Sequence, residues 1–122
     1  EGLHLGFKKI NKNPEIHIVQ TEAVHPFITA TPYSLLPTPS LASAIVDKVG
    51  YRKNAILETI KNSHGAGYAI SNMDIESALS LAKQHLDFEI SPNSALALAG
   101  LVQSLEKRKT WHGPVALLIT GA

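Results

Sequence analysis

Two segments near the carboxyl end, residues 88–100 and 115–121, constrain the fold of this chain most. The first, Phe-Glu-Ile-Ser-Pro-Asn-Ser-Ala-Leu-Ala-Leu-Ala-Gly, predicts a short strand and then a helix, because serine before proline is a common helix start. The second, Val-Ala-Leu-Leu-Ile-Thr-Gly, is an apolar run typical of a central parallel strand buried on both faces. Together they predict one wall of a ligand crevice in an α/β protein.

The remaining sequence predicts further helices and strands in alternation. Apolar residues recur with helical spacing most clearly over residues 73–86, and Ser71 with Asp74 suits a capping box at the start of this helix. Residues 23–40 hold four prolines and predict a long loop, a candidate for shaping a substrate entrance. The full set of predicted elements comprises helices over 2–11, 41–49, 52–60, 73–86 and 92–106, and strands over 16–20, 67–70, 88–90 and 115–119.

This alternation predicts the fold class. We expect a single α/β domain over residues 1–122, with three layers: a mainly parallel sheet and helices on both of its faces. The sequence begins in a predicted helix and stops directly after a predicted ligand wall. We therefore expect it to be the incomplete C-terminal portion of a larger domain.

Composition excludes several kinds of function. A net charge of +1 gives no support for a nucleic-acid partner, and the chain has no cysteine for a disulfide or a thiolate metal site. No apolar run approaches the roughly 20 residues that span a bilayer, so we expect no membrane association. A cytoplasmic location is compatible with these features.

Motifs for common site chemistries are missing. The six histidines form no compact metal motif, so no metal site is expected. The glycine-rich stretch at residues 64–67 precedes a strand, which favours a turn over a phosphate-binding loop.

Ligands of open parallel sheets bind at the carboxyl ends of the strands, which makes four positions candidates. These are residues 20–22, 71–72, 91–94 and 120–121. Ser71 and Ser91 are already explained as helix caps. For Thr120 two interpretations stay open: its hydroxyl is satisfied by nearby backbone, or it is directed at a ligand.

The order of these motifs resembles the C-terminal part of the threonine synthase family, pyridoxal-phosphate enzymes of the tryptophan-synthase-like fold (fold type II). Residues 88–101 are similar to the family's "EP-SAAALAGL" helix start, and residues 115–121 to its "VVVLTG" strand. Residues 18–22, 41–45 and 67–78 are similar to its "AVQ-EG", "TIA-AI" and "G-AV-V-D-EI-EA" segments. The resemblance covers nearly the whole chain and is most specific from residue 41 to residue 121.

The resemblance implies a reaction, the conversion of O-phosphohomoserine and water to threonine and phosphate. It also implies the cofactor pyridoxal phosphate and two cofactor-binding residues, Thr120 and Gly121, with the threonine hydroxyl bonded to the pyridine nitrogen. No catalytic residue is expected in this chain. The family's Schiff-base lysine and phosphate loop lie in an N-terminal part that would precede Glu1, and members are usually homodimers.

Two departures from the family pattern leave alternatives open. Ser91 stands where the family commonly has glutamate, and Ala122 differs from the usual residue after the Thr-Gly pair. Threonine or serine dehydratase and cysteine synthase share the scaffold, although the Thr-Gly ending favours threonine synthase. The residues also allow a non-catalytic α/β domain that binds a small molecule, or an interaction domain that oligomerises through the apolar helix 92–106.

Overall fold

The computed structural model describes residues 1–28, 39–46, 49–107 and 110–121. Strands and helices follow one another along the chain, as predicted for an α/β protein. In chain order, the elements are α1 (Gly2–Lys9), β1 (Ile18–Thr21), a 3-10 turn (Ser43–Ile45), α2 (Lys53–Asn62), β2 (Gly67–Ile70), α3 (Asn72–His85) and α4 (Pro92–Glu106).

The two strands form a parallel sheet. Ile18 lies opposite Gly67, and Thr21 lies opposite Ile70. The connection between them contains the 3-10 turn and α2, because a parallel pair requires a long crossover rather than a hairpin. The prediction of a parallel sheet is confirmed for these strands.

Helix α4 packs directly on this sheet and forms the centre of the core. It contacts both strands, α3 and the 3-10 turn. Its alanine-rich face allows close approach: a Cβ placed on Gly100 would lie only 2.5 Å from Cγ2 of Val19 on β1. The buried cluster joins α4 to β2 and α3 through Tyr68, Ile70, Ile75, Ala78, Ala82, Ala95, Leu96 and Ala99.

The other face of the sheet is covered in part by the chain that follows β1. The backbone N–H of Phe27 donates to Oε1 of Gln20 at 2.9 Å. Ile28 reaches Gly67, where an added Cβ would lie 3.0 Å from its Cγ1. Since this cover is a loop segment, the predicted three-layer arrangement with helices on both faces stays a prediction.

The prediction of strands over residues 88–90 and 115–119, which the structure describes in full, is wrong. Neither is a strand, and the sheet that the described residues form has only β1 and β2. Val115, Leu118 and Ile119 are exposed by 45%, 61% and 39%. An apolar run shows a preference for burial, whereas a strand also needs a hydrogen-bonded neighbour, which the run itself does not supply.

The helix predicted over 41–49 is also corrected. Only Ser43–Ile45 form a 3-10 turn, while residues 47 and 48 lie outside the described residues. The predicted helix over 52–60 is confirmed as α2, after a break at Gly50. Most of the predicted loop over 23–40, residues 29–38, lies outside the described residues.

The close approach of α4 to β1 generates a stability prediction. Gly100→Ala should lower the free energy of unfolding by about 1–3 kcal/mol, because the new methyl group overpacks against Val19. Urea unfolding followed by circular dichroism measures this change.

The matched control is Gly6→Ala in α1, where an added Cβ has no neighbour within 4 Å. This variant should be neutral or more stable by up to about 1 kcal/mol, since alanine has the higher helix propensity. Equal stability of Gly100→Ala and the wild type would contradict the tight packing of α4 on the sheet.

Candidate functional site

A crevice opens where β1 and β2 end, at the sheet edge where open parallel sheets bind ligands. Its volume is about 220 Å³. It brings together two predicted candidate positions, Glu22 after β1 and Ser71-Asn72 after β2. The lining residues are Glu22, Ala23, Ser40, Ile70, Ser71, Asn72 and Met73.

The start of α3, at the wall of this crevice, is closed by a capping box. The Ser71 hydroxyl accepts from the backbone N–H of Asp74 at 3.1 Å, and the Asp74 carboxylate accepts from the backbone N–H of Ser71 at 3.3 Å. The predicted capping role of Ser71 is confirmed. Because the box satisfies these N–H groups and adds a carboxylate, this helix start is a poor binding site for a phosphate.

Asn72 fixes a second segment of chain beside the crevice. Its Oδ1 accepts from the backbone N–H of Leu41 at 2.9 Å, and its Nδ2 donates to the carbonyl of Pro39 at 3.0 Å. Ala42, one residue further on, is completely buried. The sequence places Asn72 after β2, but nothing in it indicates that this amide binds a segment about thirty residues earlier.

The start of α4 forms a second small cluster of polar groups. Ser91 is the N-cap, as predicted, and its hydroxyl accepts from the backbone N–H of Ser94 at 3.3 Å. The Ser94 hydroxyl donates to the carbonyl of Gly121 at 2.6 Å and accepts from the backbone N–H of Gly121 at 3.1 Å. Two further predicted positions, 91–94 and 120–121, therefore meet.

Thr120 lies next to this contact and is exposed, although the sequence predicts it at the end of a buried strand. Among the described residues, its side chain has no hydrogen-bond partner. The alternative in which nearby backbone satisfies the hydroxyl does not hold in this structure. The Thr120 hydroxyl is open to solvent and the adjacent Gly121 is hydrogen-bonded to α4 through Ser94, so a role of Thr120 in ligand binding stays a prediction.

The candidate position 91–94 includes Ser94, but the sequence does not indicate the contact of this serine with Gly121. The only signal is a second serine three residues after the N-cap, at a position where glutamate would complete a capping box. The partner of its hydroxyl is 27 residues away.

His17 and Trp111 occupy the opposite edge of the sheet, where the strands begin. The backbone N–H of Ala66 donates to Nδ1 of His17 at 3.1 Å, so the proton of a neutral ring lies on Nε2, which is 3.0 Å from Oε2 of Glu15. The Trp111 ring meets His17 edge-on at 4.9 Å. This histidine is held by structural contacts away from the strand ends that bind ligands.

The glycine-rich stretch at 64–67 is a helix end, as the turn prediction proposed. The N–H groups of His64 and Gly65 donate to the carbonyls of Lys61 and Ile60, at 3.2 and 2.9 Å. His64 has a φ of 59°, and a Cβ on Gly65 would lie 1.8 Å from the carbonyl oxygen of Ile16. This is a Schellman motif just before β2, and it confirms the predicted turn.

The described residues contain neither a group of metal ligands nor a membrane-spanning helix. Within residues 1–28, 39–46, 49–107 and 110–121, no three histidine, aspartate or glutamate side chains group as metal ligands. No helix in the same part of the chain is long and apolar enough to cross a membrane.

Comparison with known proteins identifies the family. The family model of the pyridoxal-phosphate-dependent enzymes matches residues 1–121, nearly the whole chain. The chain therefore belongs to this family, and its dependence on pyridoxal phosphate confirms the cofactor that the motifs implied. No curated protein matches the chain.

The role of Asn72 generates a prediction about local order. Asn72→Ala removes both hydrogen bonds to the segment 39–41, so amide exchange at Leu41 should accelerate by about tenfold. Hydrogen exchange followed by nuclear magnetic resonance measures this rate.

Met73→Ala serves as the control, since this neighbouring side chain also lines the crevice and is 77% exposed. It should leave the exchange rate of Leu41 unchanged. Equal rates in both variants would show that the segment is held by contacts other than Asn72.

Proposed function

We propose that this chain is the C-terminal part of the cofactor-binding domain of a threonine synthase, which converts O-phosphohomoserine and water to threonine and phosphate. Membership of the pyridoxal-phosphate-dependent family supports the cofactor. The ordered motifs ending in Thr120 and Gly121 support the choice of threonine synthase. The observation that carries the proposal is the exposed Thr120 hydroxyl beside a glycine fixed to α4.

The residues present fit the pyridine side of the cofactor. A pyridine nitrogen accepts one hydrogen bond, and Thr120 offers one hydroxyl donor without a partner among the described side chains. The adjacent Gly121 is fixed to α4, since the Ser94 hydroxyl binds both its carbonyl and its N–H. We therefore assign Thr120 and Gly121 to cofactor binding.

The chemistry of a hydroxyl suits the proposed reaction. When bound, pyridoxal phosphate supplies an electron sink for a substrate carbanion. Thr120 would hold the ring nitrogen with a neutral donor that keeps its own proton. That moderates the sink and favours elimination and replacement over transamination.

We propose that the remaining parts of the site come from outside this chain. In the family, a lysine binds the cofactor covalently and a glycine-rich loop binds its phosphate, and no lysine here stands in such a motif. We propose that an N-terminal part of the same enzyme supplies both groups. The complete enzyme is then a homodimer with an amino-acid substrate, and the isolated chain is inactive.

Related activities are distinguished by their products. Threonine or serine dehydratase would release ammonia from a hydroxyamino acid, and cysteine synthase would consume sulfide. The proposed enzyme releases phosphate from O-phosphohomoserine. Assaying the complete enzyme with each substrate separates the three, and ammonia release without phosphate release would replace threonine synthase by a dehydratase.

The proposal that the Schiff-base lysine lies outside this chain can be tested by covalent labelling. Borohydride reduction of the 122-residue chain with excess pyridoxal phosphate should give no stoichiometric adduct at any single lysine. Mass spectrometry of the digested protein measures the adduct. The complete enzyme is the control and should carry one adduct at one lysine outside this chain; a specific stoichiometric adduct on the chain itself would contradict the proposal.

The role of Thr120 gives a kinetic test in the complete enzyme. Thr120→Val keeps the size and branching of the side chain but removes the hydroxyl, so kcat should fall by about tenfold or more. Thr110→Val, at another exposed threonine, is the matched control and should leave kcat unchanged. Unchanged kinetics for Thr120→Val would remove Thr120 from the site.

A further inference from the structure

We propose that Ser94 is a positioning residue for the cofactor ring, because it fixes the Thr120–Gly121 peptide unit and thereby sets the direction of the Thr120 hydroxyl. The inference rests on the proposed function, in which Thr120 binds the ring nitrogen. Ser94 itself is 3% exposed, so it acts through the backbone of Gly121 rather than by touching a ligand.

The hydrogen bonds of Ser94 fix both ends of Gly121. The serine hydroxyl donates to the Gly121 carbonyl at 2.6 Å and accepts from the Gly121 N–H at 3.1 Å. This N–H belongs to the peptide unit that joins Thr120 to Gly121. Holding it in place therefore restricts the backbone rotation of Thr120 and with it the direction of the bond from Cα to the threonine side chain.

Ser94 lies in a buried part of α4. Its neighbours Ala95 and Leu96 are 0% and 2% exposed, and both belong to the core cluster. Thr120, by contrast, is exposed and has no side-chain partner among the described residues. Ser94 therefore connects the rigid core helix to the exposed residue that would contact the cofactor.

Helix capping does not explain the hydrogen bonds of the Ser94 hydroxyl. Ser91 is the N-cap of α4, and its hydroxyl lies 3.4 Å from the Gly121 carbonyl, so it is the weaker contact. Ser94 stands three residues later, where its hydroxyl is not required to cap the helix. A hydroxyl both donates and accepts, which is what binding the N–H and the carbonyl of one residue requires.

The first test measures the backbone of the complete enzyme without cofactor. In Ser94→Ala, amide exchange at Gly121 should accelerate by about tenfold, because the acceptor of its N–H is gone. Ser104→Ala is the matched control: the serine is 1% exposed in the same helix and donates to the Leu101 carbonyl at 2.7 Å. An unchanged exchange rate at Gly121 in Ser94→Ala would overturn the inference.

The second test is a double-mutant cycle in the complete holoenzyme, read by the absorption maximum of the bound cofactor and by kcat. Ser94→Ala should shift the absorption maximum and lower kcat, whereas Ser104→Ala should change neither. In a Thr120→Val background, Ser94→Ala should have no further effect, since it acts through Thr120.

The outcomes of the cycle separate the two proposals. If Thr120→Val changes absorption and kcat while Ser94→Ala does not, the inference fails and the proposed function stands. If Thr120→Val changes neither, the proposed role of Thr120 fails and the inference fails with it. Full additivity of the two substitutions would also overturn the inference, because it would show that Ser94 acts independently of Thr120.

Discussion

The close contact between α4 and the sheet is the constraint on which the rest of this structure depends. Gly100 brings the helix so near to Val19 that no side chain fits between them. That approach buries the alanine-rich face of α4 against β1 and β2 and lets α3 pack against α4. The dense packing of a protein core explains why one missing Cβ affects the arrangement of these four elements.

The same helix connects the core to the proposed site. With a rise of about 1.5 Å per residue, the six residues from Ser94 to Gly100 span roughly 9 Å. The contact at Gly100 therefore fixes α4 at a point less than two turns from the serines at its start. These serines hold Gly121, so the position of Thr120 depends on how tightly α4 packs on the sheet.

Local signals in the sequence were sufficient for capped helices and for β2, but not for features that need a distant partner. Ser71 and Ser91 predicted the starts of α3 and α4 because a cap and its N–H groups lie within one turn. The apolar run at 115–119 predicted a buried strand and is exposed, because strand formation depends on a neighbour elsewhere. For the same reason, the contacts of Asn72 with Pro39 and of Ser94 with Gly121 could not be predicted.

The position of Trp111 gives this molecule an internal optical reporter. It is the only tryptophan in the sequence, and its ring meets His17 where the sheet begins. Tryptophan emission therefore describes the edge of the sheet opposite to the crevice. With a ligand that does not absorb where tryptophan emits, a change in emission on binding at the strand ends would show that the environment of Trp111 has changed on the far side of the sheet.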